Sequence, residues 1–359
     1  MAGGTEGGNR QRAATIVDVA EAAGVAIGTV SRYLNGQSVR PANRDQIEEA
    51  IHRLNYRKNA LAAAMKSELT NTVGFLVPRL SEFHAGVLER LSLALRQQGR
   101  ALLSYCHNDD VSSVMEALEF FSSHRVDGLV MDARPEVVDR IRDTVRGGTP
   151  IIFYDNNVPG PPVDRILVDN RAASYRAVRH LLDVGHSRVA VLTGNIDNWT
   201  GRERFEGYRE AMLEHGLPIM PEYVLDTHWS EDEAYSGMLR LLTLPAPPTA
   251  LYCCNYNMAM GALRMLKERG LRVPEDISMA SFDDVPLFAL YDGGITAVAQ
   301  PIVKIADTIA SILASRLSER GNAQPPHSIV LNCDIILRGS VKPPRDGASP
   351  ARSGRVATI

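Results

Sequence analysis

The sequence predicts a small all-α unit, a helix-turn-helix, followed by a large α/β core of two doubly wound parallel-sheet lobes. Three observations predict it. Residues 15–54 hold three short helical patterns with Gly24 between the first two. From Thr72 onward, apolar β-rich runs alternate with amphipathic helical stretches. That alternation implies parallel sheets covered by helices on both faces. Finally, 359 residues are too many for one hydrophobic core, so the α/β region divides naturally into two lobes.

In the first unit, Thr15 is a good N-cap, with Asp18 three residues later in the first turn. Ile16, Val19, Ala20 and Ala23 form an apolar stripe at helical spacing. Gly24 then suits the left-handed conformation that ends a helix. A second helix follows over about 26–34, with Val25, Val30 and Leu34 turned inward. A third fits residues 43–54, with Ile47, Ala50, Ile51 and Leu54 as its core face. Three helices in so short a stretch, with alanine where the first two cross, make the helix-turn-helix pattern. Residues 57–66, RKNALAAAMK, favour a helix too short to be stable alone in water, which therefore needs a partner to fold.

In the core, strands are predicted at 72–78, 101–106, 126–133, 150–156, 165–170, 188–194, 250–255 and 276–282. Helices are predicted near 83–98, 111–123, 135–146, 171–184, 202–215, 231–242, 257–269 and 301–318. Ligands of open α/β sheets bind outside the carboxyl ends of the strands, so a cleft between the lobes is the expected site. The boundaries read as a disordered tail over 1–14, the helix-turn-helix unit over 15–58 and a short helix or linker over 59–70. The core follows over 71–340, with a Pro/Gly/Ser/Arg-rich disordered tail over 341–359.

Charge and composition narrow the function. Residues 9–66 carry nine Lys/Arg against five Asp/Glu, a net of +4, which leaves −7 on the rest of the chain. A basic head on an acidic body suits a polyanionic partner at the head alone. No apolar run approaches the ~18 residues of a membrane span, and the first fourteen residues lack the apolar stretch of a signal peptide. The expected location is therefore cytoplasmic, with no membrane partner. Cys106, Cys253, Cys254 and Cys333 lie in apolar runs without CxxC spacing and read as buried free thiols. No nucleophile-elbow or phosphate-loop signature is present, and His180 and His186 lack ligand-like companions, so neither catalysis, metal nor cofactor is expected.

Thr15–Asn35, TIVDVAEAAGVAIGTVSRYLN, closely resembles the headpiece of lactose/galactose-type repressors, the LacI/GalR family. The resemblance continues through LNYRKNALA (54–62), TNTVGFLVP (70–78), RVDGLVM (125–131), VDNRAAS (168–174), LLDVGHSRVAVLTG (181–194), RERFEGYREAM (202–212), VPEDISMASFDD (273–284) and QP (300–301). It implies a periplasmic-binding-protein-like core, a dimer on near-palindromic operator DNA, and a small effector in the core. Arg32, matching the arginine of V-S-R, is the expected base reader, since arginine pairs bidentately with guanine. Ile27 and Gly28 hold the two positions that vary with operator in the family. Ile27 offers apolar contact only, and Gly28 offers no side chain. Thr15, Thr29, Ser31 and Asn35 are expected phosphate contacts that fix register. Tyr33 fits either the reading set or the core.

Residues 59–66 resemble the family's hinge helix. Asn59 belongs to it, Ala62 permits close approach to the minor groove, and Met65 stands where a leucine wedge is usual. Lys58 replaces a proline and Arg40 a helix-capping serine. In the core, Phe83, Asp155, Arg204, Trp229, Asn255, Asp283 and Gln300 match effector-binding positions. Asn156 replaces an arginine, Tyr256 replaces an aspartate, and the loop carrying Phe83 is one residue short, which places Glu82 and His84 unusually. Asp284 reads as structural and Asn157 as a loop residue. The expected effector is a sugar or sugar derivative between Trp229 and Phe83, with Arg204 a possible seat for a carboxylate or phosphate. Alternatives are a regulator sensing a nucleobase or a phosphoprotein, and a solute-binding transport protein, which the head argues against. The tail lacks the leucine heptads of a tetramerisation helix, so a homodimer is expected.

Overall fold

The computed structural model describes residues 14–34, 36–57, 69–318 and 324–345. Asn35, the hinge residues Asn59, Ala62 and Met65, and the predicted N-terminal tail through residue 13 lie outside the described residues. The chain divides between Thr70 and Asn71 into two compact units.

The first unit packs α1 (Ile16–Ala22), α2 (Ile27–Leu34) and α3 (Pro41–Arg53) around Val19, Ala20, Ala23, Val30, Ile47 and Ala50. Thr15 and Asp18 close a reciprocal capping box at the start of α1. Gly24 takes φ +65°, the left-handed turn that lets α2 leave α1 at an angle. The third helix begins two residues earlier than the expected 43, because Pro41 supplies a φ already suited to a first turn. Arg40 precedes it and makes no side-chain cap, in keeping with the loss of the capping serine.

The second unit holds two lobes. The first is built from β1 (Thr72–Val77), α4 (Glu82–Gln97), β2 (Ala101–Cys106), α5 (Val111–Ser123), β3 (Gly128–Asp132), α6 (Val138–Arg146), β4 (Ile151–Tyr154) and β5 (Asp164–Val168). The second holds α7 (Asn170–Asp183), β6 (Val189–Thr193), α8 (Trp199–Glu214), β7 (Val224–Asp226), α9 (Glu231–Leu242), β8 (Ala250–Cys253), α10 (Tyr256–Glu268), β9 (Ser278–Phe282), α11 (Pro286–Leu290) and β10 (Thr296–Ala299). The chain then returns to the first lobe as α12 (Ile302–Ser318) and β11 (Ser328–Leu331), and ends in the second as β12 (Asp334–Ile336).

The first sheet runs β2-β1-β3-β4-β5-β11, all parallel. The second runs β7-β6-β8-β9-β10-β12, parallel except for β12. The eight predicted strands are present. Four more, β7, β10, β11 and β12, have three or four residues each, too short for a periodic signal against the flanking polar residues. In both sheets the strand order reverses at the first strand, β1 or β6, which opens a crevice at the carboxyl ends.

Three strands of chain cross between the lobes, and Asp169 ties two of them together. Its carboxylate accepts from Arg176 (3.0 Å) and from the backbone N–H of Cys333 (2.7 Å). The predicted disordered tail needs correction at its start. Val341 packs on the core, and the Lys342 carbonyl accepts from His186 Nε2 and Ser278 Oγ at 2.9 and 3.0 Å. Proline-rich composition reads as loop, but here the chain satisfies its backbone groups against β9. Residues 346–359 lie outside the described residues.

Candidate DNA-reading face and effector cleft

On α2 the sequence-predicted readers separate cleanly from the core. Ile27, Gly28 and Arg32 are exposed, Thr29 and Ser31 are half-buried, and Val30 is fully buried. Ile27 leaves 43% of its surface in solvent, where a partner can reach it. The Arg32 side chain has no partner among the described residues. A Cβ added at Gly28 would meet nothing within 4 Å. Tyr33 belongs to the core side: its hydroxyl donates to Glu48 (2.8 Å), which also pairs with Arg44 (2.9 Å). Thr15 directs its hydroxyl hydrogen to Asp18 (2.7 Å), so a phosphate contact through that hydroxyl would replace this bond while leaving the two backbone bonds of the capping box in place.

In the second unit, the seven residues singled out from sequence line one cleft, together with His84, Asp132, Asn156, Thr200 and Tyr256. The cleft encloses about 780 Å³, its open mouth included. Topology explains the convergence, since each residue follows the carboxyl end of a strand. Phe83 comes after β1, Asp155 after β4, Trp229 after β7, Asn255 after β8, Asp283 after β9 and Gln300 after β10. Arg204 lies one turn into α8, after β6. Asp155, Trp229 and Asp283 all have positive φ (63°, 61° and 67°). Non-glycine residues hold this conformation at a cost, and such strain gathers at functional sites.

Trp229 lies flat on Gly194: a Cβ there would stand 2.0 Å from the indole. Any side chain at 194 would expel the ring, so the glycine makes the platform. Arg204 is buried and largely committed within its own lobe. Its Nε donates to Asn170 Oδ1 (2.8 Å), its Nη1 to the Cys254 carbonyl (2.7 Å), and its plane covers Phe282 at 3.6 Å from the ring centroid. The expected seat for a carboxylate or phosphate is thus mostly used for structure. Asn255 caps α10 by accepting from the Met258 N–H (3.0 Å), which uses one of the two acceptor positions of its amide oxygen and leaves its NH₂ to donate to a ligand. Gln300 donates to Asp283 Oδ1 (2.7 Å), and Gln300 Oε1 is buried without a partner. An unpaired buried acceptor costs about 1–3 kcal/mol, which a ligand donor would recover.

His84, unassigned from sequence, is buried on the cleft wall. Its Nδ1 bonds the Tyr154 hydroxyl (2.8 Å) and its Nε2 stands 4.0 Å from Asp155. Burial holds its pKa below the ordinary imidazole value, against the pull of Asp155, Asp132 and Asp283. Burial also raises the pKa of Asp155, more than His84 and Arg204 lower it. Asp132 escaped sequence reasoning, although it ends a predicted strand and the strand-end rule applies to it equally. It accepts from buried His107 Nε2 at 3.0 Å. Thr200 and Tyr256 also went unassigned. Both cross the cleft: Thr200 Oγ1 donates to the Asp155 carbonyl (2.7 Å), and the Glu82 N–H donates to the Tyr256 hydroxyl (3.2 Å). Asp284 is structural, paired through both oxygens with Arg338 at 2.7 and 2.9 Å, and Asn157 accepts from Arg165 in its loop.

A helix-turn-helix unit with an exposed reading helix, joined to a two-lobed core with a polar, aromatic-floored cleft, defines a DNA-binding transcriptional regulator. The family described as bacterial regulatory proteins, lacI family, matches residues 15–59, and a periplasmic-binding-protein-like domain matches residues 178–341. The HTH-type transcriptional repressor PurR of Haemophilus influenzae is 32% identical over 335 residues, 92% of this chain and 99% of that protein. The chain belongs to the lacI family of DNA-binding transcriptional repressors. Among solved structures, a complex of the transcriptional regulator CelR with cellobiose is 28% identical with a TM-score of 0.68, over 91% of this chain and 99% of that one. The Lac repressor dimer bound to operator and an anti-inducer shares the fold at 24% identity and a TM-score of 0.81, over 92% of this chain and all of that one. The family consists of regulators and not enzymes. No helix among the described residues is long and apolar enough to cross a membrane.

Proposed function

We propose that this protein is a homodimeric repressor of a carbohydrate-use operon, controlled by a sugar or sugar derivative in the interlobe cleft. The observation that carries the effector reading is convergence: residues from the ends of six strands and one helix start share one cleft over the Trp229–Gly194 platform. A flat aromatic suits the C–H face of a sugar ring, and the carboxylates and amides around it can satisfy hydroxyls. The cellobiose carried by the related CelR supports a sugar. A nucleobase is the second reading, because Trp229 would stack on a purine equally well.

In this reading Arg32 reads a base, Ile27 covers an apolar base edge such as a thymine methyl, and Thr29 and Ser31 hold phosphates. Asn35, Asn59, Ala62 and Met65 join the interface as the family resemblance implies. One head reads a half-site, so two copies read a near-palindrome. Effector binding changes how the lobes close. The Thr200–Asp155 and Glu82–Tyr256 bonds belong to a closed arrangement, and a ligand shifts the balance only through different contacts in the two states. Selection of bound sequences from random duplex DNA, repeated with a sugar panel, tests the proposal. A near-palindromic motif whose binding responds to one sugar is expected. No enriched motif, or a response to nucleobases alone, would overturn the corresponding half.

A further inference from the structure

The charge of the cleft is unbalanced. Asp132 and Asp155 come from the first lobe and Asp283 from the second, and all three lie close enough to act on His84. Arg204 faces them as the deeply buried cation, with two of its nitrogens and one ring face engaged in its own lobe. Arg79 and Arg134 also line the cleft, but both pair with Asp109 (3.2 and 3.1 Å) and Arg134 also pairs with Glu136 (3.8 Å), so two carboxylates match these two cations. His84 adds no compensating charge at neutral pH, since burial lowers its pKa. Asp283 has Gln300 as a donor, and Asp132 has His107. The Asp155 carboxylate has no hydrogen-bond donor among the described residues; its nearest cationic candidate is His84 Nε2 at 4.0 Å.

We propose that the effector presents a positively charged amine to Asp155 and Asp132, on a polyhydroxylated ring resting over Trp229. This rests on the sugar reading above and narrows it to the amino-sugar class. An ammonium group brings three N–H donors and a full charge to a half-buried carboxylate. A hydroxyl offers one donor and leaves the charge uncompensated. A phosphate or carboxylate would add a like charge to a cleft in which three aspartates already outnumber Arg204, which opposes binding.

The test is titration of the full chain with D-glucosamine, D-galactosamine and D-mannosamine. Each is compared with its neutral parent, its N-acetyl form and its 6-phosphate, alongside adenine and guanine. At least one amine should bind about tenfold or more tightly than its parent, the lower end of coupling between close charges at interfaces. N-acetylation, which keeps the ring and removes the charge, should abolish that advantage without any change to the protein. Asp155→Asn, checked for folding by tryptophan emission, should reduce the amine to the affinity of its parent. Equal or tighter binding of a neutral parent or phosphate overturns the amine and leaves the sugar reading intact. Binding of nucleobases alone overturns both, and binding of no compound overturns the amino-sugar assignment.

Discussion

Replacing Arg204 tests whether it anchors the second lobe as a structural cation. Arg204→Met keeps most of the side-chain volume but removes both guanidinium hydrogen bonds, to Asn170 (2.8 Å) and the Cys254 carbonyl (2.7 Å). Asn170 Nδ2 already lacks a partner, so the variant would leave a buried amide unpaired at both ends. Hydrogen bonds to charged groups contribute about 1.5–3 kcal/mol each, and two are lost, offset in part by no longer burying a cation. A loss of about 3–5 kcal/mol in the core is therefore expected. At about 2–4 °C per kcal/mol for a unit of this general size, Tm falls by about 6–20 °C. The two tryptophans, Trp199 and Trp229, both lie in the core, so intrinsic fluorescence follows that unit alone during thermal unfolding of the full chain. Arg204→Lys keeps the charge but cannot make the planar fork and should lose an intermediate amount. A Tm for Arg204→Met within about 2 °C of the parent, less than 1 kcal/mol on the same scale, would refute the assignment of Arg204 as an anchor.

Arg32→Ala should flatten discrimination between operator and random DNA by about 1–3 kcal/mol, read by fluorescence anisotropy at fixed salt; undiminished discrimination would remove Arg32 from the reading set. Gly28→Asn should shift the preferred base at one position per half-site with no loss of fold, because a Cβ there meets nothing within 4 Å; an unchanged preference would place Gly28 away from the bases. Asp155→Asn should raise the ligand-free Tm at pH 7. The half-buried carboxylate has a raised pKa, so the folded state binds its proton more tightly than the unfolded chain. Parent stability accordingly falls as pH rises from the ordinary value of 3.8 through the raised one, and the gap to the variant should close toward acid. A variant less stable than the parent at pH 7 would mean that attraction to Arg204 outweighs burial. Thr200→Val, which removes the 2.7 Å bond across the cleft, should weaken effector binding by about 0.5–1.5 kcal/mol, and an unaltered affinity in calorimetry would show that this bond does not favour the bound arrangement.

Local patterns were enough for the headpiece and for most of the core, because capping, helical periodicity and long buried strands are written in neighbouring residues. Thr15 with Asp18, the Val19–Ala20–Ala23 stripe and Gly24 specify the first turn without outside help. The seven cleft residues were legible through family resemblance, and topology explains why they meet: strand ends distant in sequence become adjacent at the reversal of each sheet. Which groups remain available to a ligand was decided only in three dimensions. Arg204 and Asn255 turn much of their hydrogen-bonding capacity inward, and Trp229 gains its platform from Gly194, thirty-five positions earlier. His84, Asp132, Thr200 and Tyr256 take their places in the cleft from long-range packing that no short pattern encodes. The same holds for the last described residues, whose prolines read as loop but where the Lys342 carbonyl finds donors in His186 and Ser278 once the second sheet is folded. Sequence alone thus determined the class of protein and its modular order, since those depend on local pattern. The charge and the remaining donors of the cleft depend on burial and on partners from elsewhere in the chain, and those exist only in the folded core.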